Sequence, residues 1–364
     1  MFSKAIKKWT ILVYADGNNE MESIMYKSLL ACEKTGSNKG VNIVFQIGRL
    51  GSYNDSNGDN WSGVRRYYVN KNNLNLVEDL GKSNMADPNS LYDFIKWAFE
   101  NYKSEHYMVV LSDHGGDFIG CFTDLSKNKP YIMGIPEMIE AINAVRKNLG
   151  YEIDILILDM CYMNSIEVLY ELGQEKYNTA KTVITYMDYA AYDGLNYERL
   201  ISCTEKNSNI KNLKLFIELL IDSLELDFQA FEINNSQLEE IKQLFNQLAE
   251  QGVNSLSSVN NKVKDISNSE LINKIDDALN SMLIYSKQTF KGLNNSIKVT
   301  SNDIGHLILF YRKLAFSKDN HWTDLLSTTP LDSSKTLNDR VNVALTTSSK
   351  PVVHYMLKFN RDKD

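Results

Sequence analysis

Two stretches decide the fold: Met108-Val109-Val110-Leu111-Ser112-Asp113-His114-Gly115-Gly116-Asp117 and Ile153-Asp154-Ile155-Leu156-Ile157-Leu158-Asp159-Met160-Cys161. Each is an apolar run of strand length that ends in polar residues. Within the runs hydrophobicity is largely continuous rather than alternating, which marks strands covered on both faces, as in a parallel sheet. Three further runs share the pattern: Thr10–Ala15, Val41–Ile47 and Thr182–Tyr186. Several are rich in Val and Ile, as strands are.

Helical patterns lie between them. Asp87-Pro88 opens one, with Leu91, Phe94, Ile95 and Phe99 at helical spacing. Pro136 opens another through Met138, Ile139, Ile142 and Val145. Proline suits a first turn because its missing N–H would have no partner there. The alternation predicts an α/β/α sandwich with a mostly parallel central sheet. Val64–Val69, containing Arg65 and Arg66, reads as a more exposed strand, in a hairpin on the sheet edge that uses the Gly/Asn/Asp-rich segment before it as its turn.

From Leu213 to about Ser286 apolar residues recur at helical spacing, predicting long helices and no strands. A helix is expected over Ile304–Phe316, a returning strand over Val352–Phe359, and a mobile segment over Asn254–Asn268. The chain therefore divides into an α/β domain over 1–208 and a mainly helical subdomain over 209–364, packed on the first or extending it.

With 364 residues and 43% hydrophobic content, the chain can build a large core. Its formal charge of −7 argues against general nucleic-acid binding, which needs a basic face. No run approaches the roughly 18 apolar residues of a membrane span. Lys4, Lys7 and Lys8 before Trp9–Ala15 imitate a secretion signal, but the run is short, meets Asp16 and has no usual cleavage site. The chain reads as soluble and is expected to be a monomer. Secretion, with a leader removed or absent, and a cytoplasmic location both fit. The four cysteines, Cys32, Cys121, Cys161 and Cys203, form no CxxC pair, so neither zinc nor a disulfide framework is expected. They read as three packing residues and one reactive thiol.

Open parallel sheets bind ligands beyond the carboxyl ends of their strands. There the sequence offers His114, then Asp159 and Cys161, then Asp188. A reactive thiol needs surroundings that favour thiolate and an acid or base nearby. His114 can give a proton to a leaving amine, and the glycines after it let backbone N–H groups approach an oxyanion. A helix expected from Met163 to Leu172 would place Cys161 at its N-terminus, which favours thiolate. Taken singly, a cysteine at a strand end is usually a small buried hydrophobe, and His-Gly is usually a turn. Their joint placement at successive strand ends favours chemistry. His106, His306, His321 and His354 lack such surroundings and are assigned structural or surface roles.

These residues resemble the clostripain family of cysteine peptidases, of the clan that includes caspases, gingipains and legumain. His114-Gly115 and Asp159-Met160-Cys161 are similar to its His-Gly and Asp-Ala-Cys motifs. The likeness continues in Trp9 through Asn19, Trp61–Tyr67, Asn84–Pro88 and Tyr311–Leu325. The resemblance implies a caspase-like fold and cleavage after Arg or Lys in protein or peptide substrates. It implies that Cys161 attacks the carbonyl while His114 serves as acid/base or carbonyl polariser. The N–H groups of Gly115 and Cys161 would form the oxyanion hole, and Asp159 and Asp188 the pocket for the basic side chain. Carboxylates suit that pocket because they pair with guanidinium or ammonium through charge-assisted hydrogen bonds. Alternatively, Asp159 caps the helix after Cys161.

Met160 stands where the family commonly has a small residue; it should point away from the Cys161 face and pack against a helix. The sequence after the Gly pair and after Asp188 also departs from the family, which bears on subsites more than on the dyad. Members are often activated by internal cleavage between the His and Cys segments. Here the polar Asp124–Pro130 is the candidate, with Lys127-Asn128 the scissile bond because Pro130 should block cleavage after Lys129. An uncut surface loop is the alternative. No cofactor is required for the chemistry. Calcium is a candidate ion at the acidic turns Asp16–Glu22 and Asp55–Asp59, without a motif of loop-type spacing. A Cys/His transpeptidase or ligase, and a catalytically idle binding module on the same fold, are the rival functions.

Overall fold

A computed structural model describes residues 6–53, 60–127, 129–174, 178–258, 269–287, 311–328 and 354–355. Its strands are β1 (Lys7–Gly17), β2 (Val41–Arg49), β3 (Gly63–Asn70), β4 (Asn73–Gly81), β5 (Ser104–Ser112), β6 (Cys121–Asp124), β7 (Tyr131–Met133), β8 (Ile155–Asp159), β9 (Thr182–Tyr186), β10 (Phe228–Glu232), β11 (Leu283–Lys287) and β12 (His354–Tyr355). The helices are α1 (Glu22–Thr35), α2 (Pro88–Asn101), α3 (Ile135–Leu149), α4 (Ile166–Leu172), α5 (Tyr197–Asn207), α6 (Leu213–Leu224), α7 (Asn235–Ser258), α8 (Ser269–Met282) and α9 (His321–Thr328).

Nine strands make the main sheet, in the order β11-β10-β9-β8-β5-β1-β2-β3-β4. Its centre, β9 to β2, is parallel, and the strands outside it are antiparallel. Successive side chains of a strand point to opposite faces, so each central strand feeds two cores. Leu12 and Tyr14 of β1 join the core under α2, α3, α4, α7 and α8. Ile11, Val13 and Ala15 join the one under α1, α5 and α6. This is the expected α/β/α sandwich, and it explains the continuous hydrophobicity of the central strands.

Local chemistry sets the helix ends. Asp87 caps α2 by accepting a hydrogen bond from Asn89 N–H at 2.9 Å, with Pro88 in the first turn. The α3 helix opens at Ile135 with Pro136 in its first turn and closes at Gly150 in left-handed conformation. The α4 helix starts at Ile166 with Ser165 as cap, not near Met163 as expected. Cys161 therefore lies in a turn five residues before the helix, and the helix-dipole argument for its thiolate falls. Ser165, rather than Asp159, does the capping.

The region after 208 is not purely helical. β10 and β11 extend the main sheet beyond β9, antiparallel, so this part of the chain continues the first architecture. Their polar residues, Gln229 and Glu232 in β10 and Ser286 and Lys287 in β11, break the continuous apolar run that marks the equally short β8 and β9. β4 was also missed: it pairs with β3 through a turn at Asn72 in left-handed conformation, and it, rather than β3, is the sheet edge. The hairpin of β2 and β3 forms as expected. Of the expected mobile segment, 254–258 belongs to α7 and 259–268 lie outside the described residues. Most of the helix expected at Ile304–Phe316 and of the strand at Val352–Phe359 also lie outside them. The described parts are a short turn of 3-10 helix at Ala315–Ser317 and the two residues of β12.

Candidate active site

The order β9-β8-β5 makes three polar strand ends neighbours. Register aligns Ser112 with Asp159 and Leu158 with Thr185. His114, Cys161 and Asp188 thus lie just past adjacent strands at one carboxyl edge. Among the cysteines only Cys161 is partly exposed; Cys32, Cys121 and Cys203 are buried. Met160, just past the end of β8, is buried in the core under α2, α3 and α4.

The chain turns sharply at Cys161. Tyr162 has φ +61°, a left-handed conformation that costs a non-glycine residue energy. Its N–H donates to the Asp188 carbonyl at 2.7 Å, and its ring meets Tyr189 edge-on, so the loop after β9 holds the turn. Ala190 N–H donates to Cys161 Sγ at 3.3 Å. Gly115 lies against the turn so closely that an added Cβ would stand 2.2 Å from the Cys161 carbonyl oxygen. Around it, Phe122 N–H donates to the His114 carbonyl and Gly116 N–H to the Gly120 carbonyl. That pattern leaves the Gly115 N–H outside the ladder.

Electrostatics do not favour a resting thiolate. Burial pushes the Cys161 thiol above its ordinary value, the Ala190 N–H opposes this, and the charges of Asp159 and Asp188 add to it. For His114 burial works to lower the pKa, but the hydrogen bond to Glu20 and the charges of Asp113 and Glu20 outweigh it and raise it. His114 Nε2 lies 2.8 Å from Glu20 Oε1. Asp113 is buried, accepts from Asn19 Nδ2 and Thr123 N–H, and is pushed up to about 7, chiefly by desolvation.

The two pocket candidates differ. Asp159 is 4% exposed. Its Oδ2 accepts from Ser112 Oγ at 2.6 Å and its Oδ1 from Tyr186 OH at 2.9 Å. Burial raises its pKa against these hydrogen bonds. Asp188 is half-buried at the rim. Lys127 is exposed on the β6–β7 loop, while Asn128 lies outside the described residues. At the first acidic turn, Glu22 is ion-paired to buried Arg49 at 3.0 Å and Asp16 Oδ1 accepts from Asn18 N–H. Asp55–Asp59 lie outside the described residues. Among the described residues no cluster of His, Cys, Asp and Glu suits a metal ion, and no helix is long and apolar enough to cross a membrane. His106 packs on Trp9, with ring centroids 4.8 Å apart, away from the site. Sequence reasoning missed Glu20 as a partner of His114. Its signal was an acidic residue just beyond the first strand, in the turn beside the expected site.

The model of the clostripain family matches residues 13–355. Clostripain of Hathewaya histolytica is 22% identical over 260 residues, covering 64% of this chain and 48% of the relative, so the chain spans about half the relative's length. An inactive zymogen C11 protease from Parabacteroides distasonis superposes with a TM-score of 0.59 at 15% identity, covering 87% of this chain and 99% of that one. A secreted C11 cysteine protease from Bacteroides thetaiotaomicron, in complex with an irreversible peptide inhibitor, gives 0.56 at 16% identity, covering 80% and 88%. At these identities the superpositions speak for the fold.

Proposed function

This chain belongs to the clostripain family of cysteine-type peptidases, and we propose that it is an endopeptidase that cleaves after Arg or Lys through Cys161 and His114. The observation that carries the reading is the adjacency of β5, β8 and β9, which brings a partly exposed thiol, an imidazole and a rim carboxylate together. Cys161 attacks the scissile carbonyl, and the N–H groups of Gly115 and Cys161 receive the oxyanion. His114 moves the proton from the thiol to the leaving amine. Water then hydrolyses the thioester.

Asp188 meets the substrate's cation at the rim. Asp159 lies beneath, its oxygens held by Ser112 and Tyr186, and adds negative potential. Exposure of Lys127 on a hairpin loop supports activation by cleavage between Lys127 and Asn128. The chemistry needs no cofactor, and the enzyme acts as a monomer on protein or peptide chains.

A scan of fluorogenic peptides differing in the residue before the scissile bond tests this, run on wild type and Cys161→Ala, with and without a calcium chelator. Cleavage only after Arg or Lys, abolished in Cys161→Ala and indifferent to chelator, is expected. Cleavage after other residues would overturn the pocket, and a folded protein that neither cleaves nor is labelled at Cys161 by a Lys-chloromethylketone peptide would overturn the enzyme. Mass spectrometry should find wild type, but not Cys161→Ala, cut after Lys127; an intact chain during turnover sinks that step.

A further inference from the structure

The turn after β1 touches the site through two consecutive side chains. Asn19 Nδ2 donates to Asp113 Oδ1 at 2.8 Å, and His114 Nε2 lies 2.8 Å from Glu20 Oε1. Residues 19 and 20 are thus fastened, one to one, to residues 113 and 114. Asn19 also donates to the Thr123 carbonyl, and its Oδ1 accepts from Met21 N–H at 2.7 Å. Leu125 N–H donates to the Asn18 carbonyl. The turn is therefore tied to both β5 and β6, and Glu20 reaches His114 from a fixed base.

A carboxylate can only accept a hydrogen bond, so the ring nitrogen facing it carries the proton. Glu20 is ionised at neutral pH: burial works to raise its pKa, but the hydrogen bond and charge of His114 lower it below the usual value. We propose that Glu20 is the positioning residue for His114: it holds Nε2–H and leaves Nδ1 as the ring nitrogen that moves protons at Cys161.

The inference rests on the peptidase reading above. Protons balance at every step. Nδ1 takes the thiol proton as Sγ bonds to the scissile carbon, which makes His114 an imidazolium beside the Glu20 charge. Nδ1 then gives that proton to the amine nitrogen as the C–N bond breaks. In the second half Nδ1 takes a proton from the attacking water and returns it to Sγ as the thioester breaks. Throughout, Nε2–H stays on Glu20. The charge of Glu20 stabilises the imidazolium that forms in each half, as a buried carboxylate does for other catalytic histidines. The titratable groups acting on His114 are Glu20 from the β1 turn and Asp113 from the β5 end.

The test compares wild type, Glu20→Gln and Glu20→Asp, by kcat and KM against pH on an Arg or Lys fluorogenic peptide. Glu20 is 44% exposed, so the amide should fold as wild type does. Without the carboxylate charge the imidazolium is less favoured, so the acid limb of kcat/KM should move to lower pH. The plateau kcat should fall roughly 10- to 100-fold with KM within about twofold, and Glu20→Asp should recover part of it. In a Cys161→Ala background, NMR titration of the His114 ring should show its pKa lowered by Glu20→Gln. An unmoved acid limb overturns the proposal, whether kcat holds, leaving Glu20 idle, or falls, leaving it merely structural. An unmoved ring pKa overturns it as well. A wild type that cleaves nothing overturns the peptidase reading and the role together, and is told apart because it fails before any variant is compared.

Discussion

The Cys161 carbonyl oxygen lies where a side chain on Gly115 would have to be: a Cβ there would approach it to 2.2 Å. Met160 Cβ and Met163 Sδ would stand at 2.9 Å and 3.0 Å. The nearest obstacle is backbone, which cannot swing aside. The turns that carry Cys161 and His114 therefore fit together only through glycine.

Gly115→Ala should accordingly separate the two turns. Alanine keeps the backbone N–H, but the clash moves it; an oxyanion donor taken out of place costs as a lost one does, roughly 100- to 1,000-fold in kcat, and displacement of the thiol turn should add to that. Activity of Gly115→Ala is expected to fall at least about 100-fold, with a lowered Tm in a thermal melt. Near wild-type turnover would show that the contact relaxes cheaply.

The two aspartates should respond differently to removal. Asp188→Ala, at the rim, should lose cleavage after Arg and Lys with little change in Tm. Asp159→Ala leaves the Ser112 and Tyr186 hydroxyls without their acceptor, and a buried unsatisfied group costs about 1–3 kcal/mol. Asp159→Ala should therefore lose stability as well as activity. Urea unfolding beside peptide kinetics checks both, and equal stability of the two variants would contradict the buried network.

The resting thiol should be slow to alkylate. Burial, with the charges of Asp159 and Asp188 adding to it, holds the thiol form of Cys161 to higher pH than usual. The rate of Cys161 alkylation by iodoacetamide should keep rising past the ordinary thiol pKa, and Asp188→Asn should shift that rise to lower pH. A plateau at neutral pH would show a preformed thiolate.

Glu171 offers a pH dependence of stability. It sits on α4, accepts from the N–H groups of Ala315 and Phe316, and is pushed from 4.5 up to about 7, chiefly by desolvation. In the unfolded chain it ionises near its ordinary pKa, while the folded chain keeps the proton until about pH 7. Its contribution therefore turns unfavourable as pH rises from about 4.5 to about 7, by at most on the order of 3 kcal/mol. Glu171→Gln keeps an oxygen for the two N–H groups and cannot ionise. Urea unfolding at pH 5 and pH 7 should show a smaller loss of stability with pH in this variant than in wild type, and parallel losses would refute the assignment.

The centre of this protein is legible in the order of its residues. Continuous apolar runs of strand length, several of them rich in Val and Ile, mark strands covered on both faces, and in a parallel sheet chain direction puts the polar residues after each run at one carboxyl edge. His114, Cys161 and Asp188, each just past an apolar run, therefore fall at that edge. β10 and β11 are no shorter than β8 and β9, but Phe228–Glu232 and Leu283–Lys287 mix apolar with polar residues, so neither forms the continuous apolar run that marks those central strands. Periodicity also let α4 begin too early: Met163 fits a helical stripe, but the cap is Ser165. Which groups meet follows from packing in three dimensions. Strand order set β5 beside β8 and β9. Packing buried Asp159 under two hydroxyls while leaving Asp188 at the rim. The return of the β1 turn brought Glu20 to His114 across 94 positions of sequence, a contact no local pattern encodes. Local propensity comes from each residue's neighbours in the chain, whereas the protonation of a side chain comes from its neighbours in space.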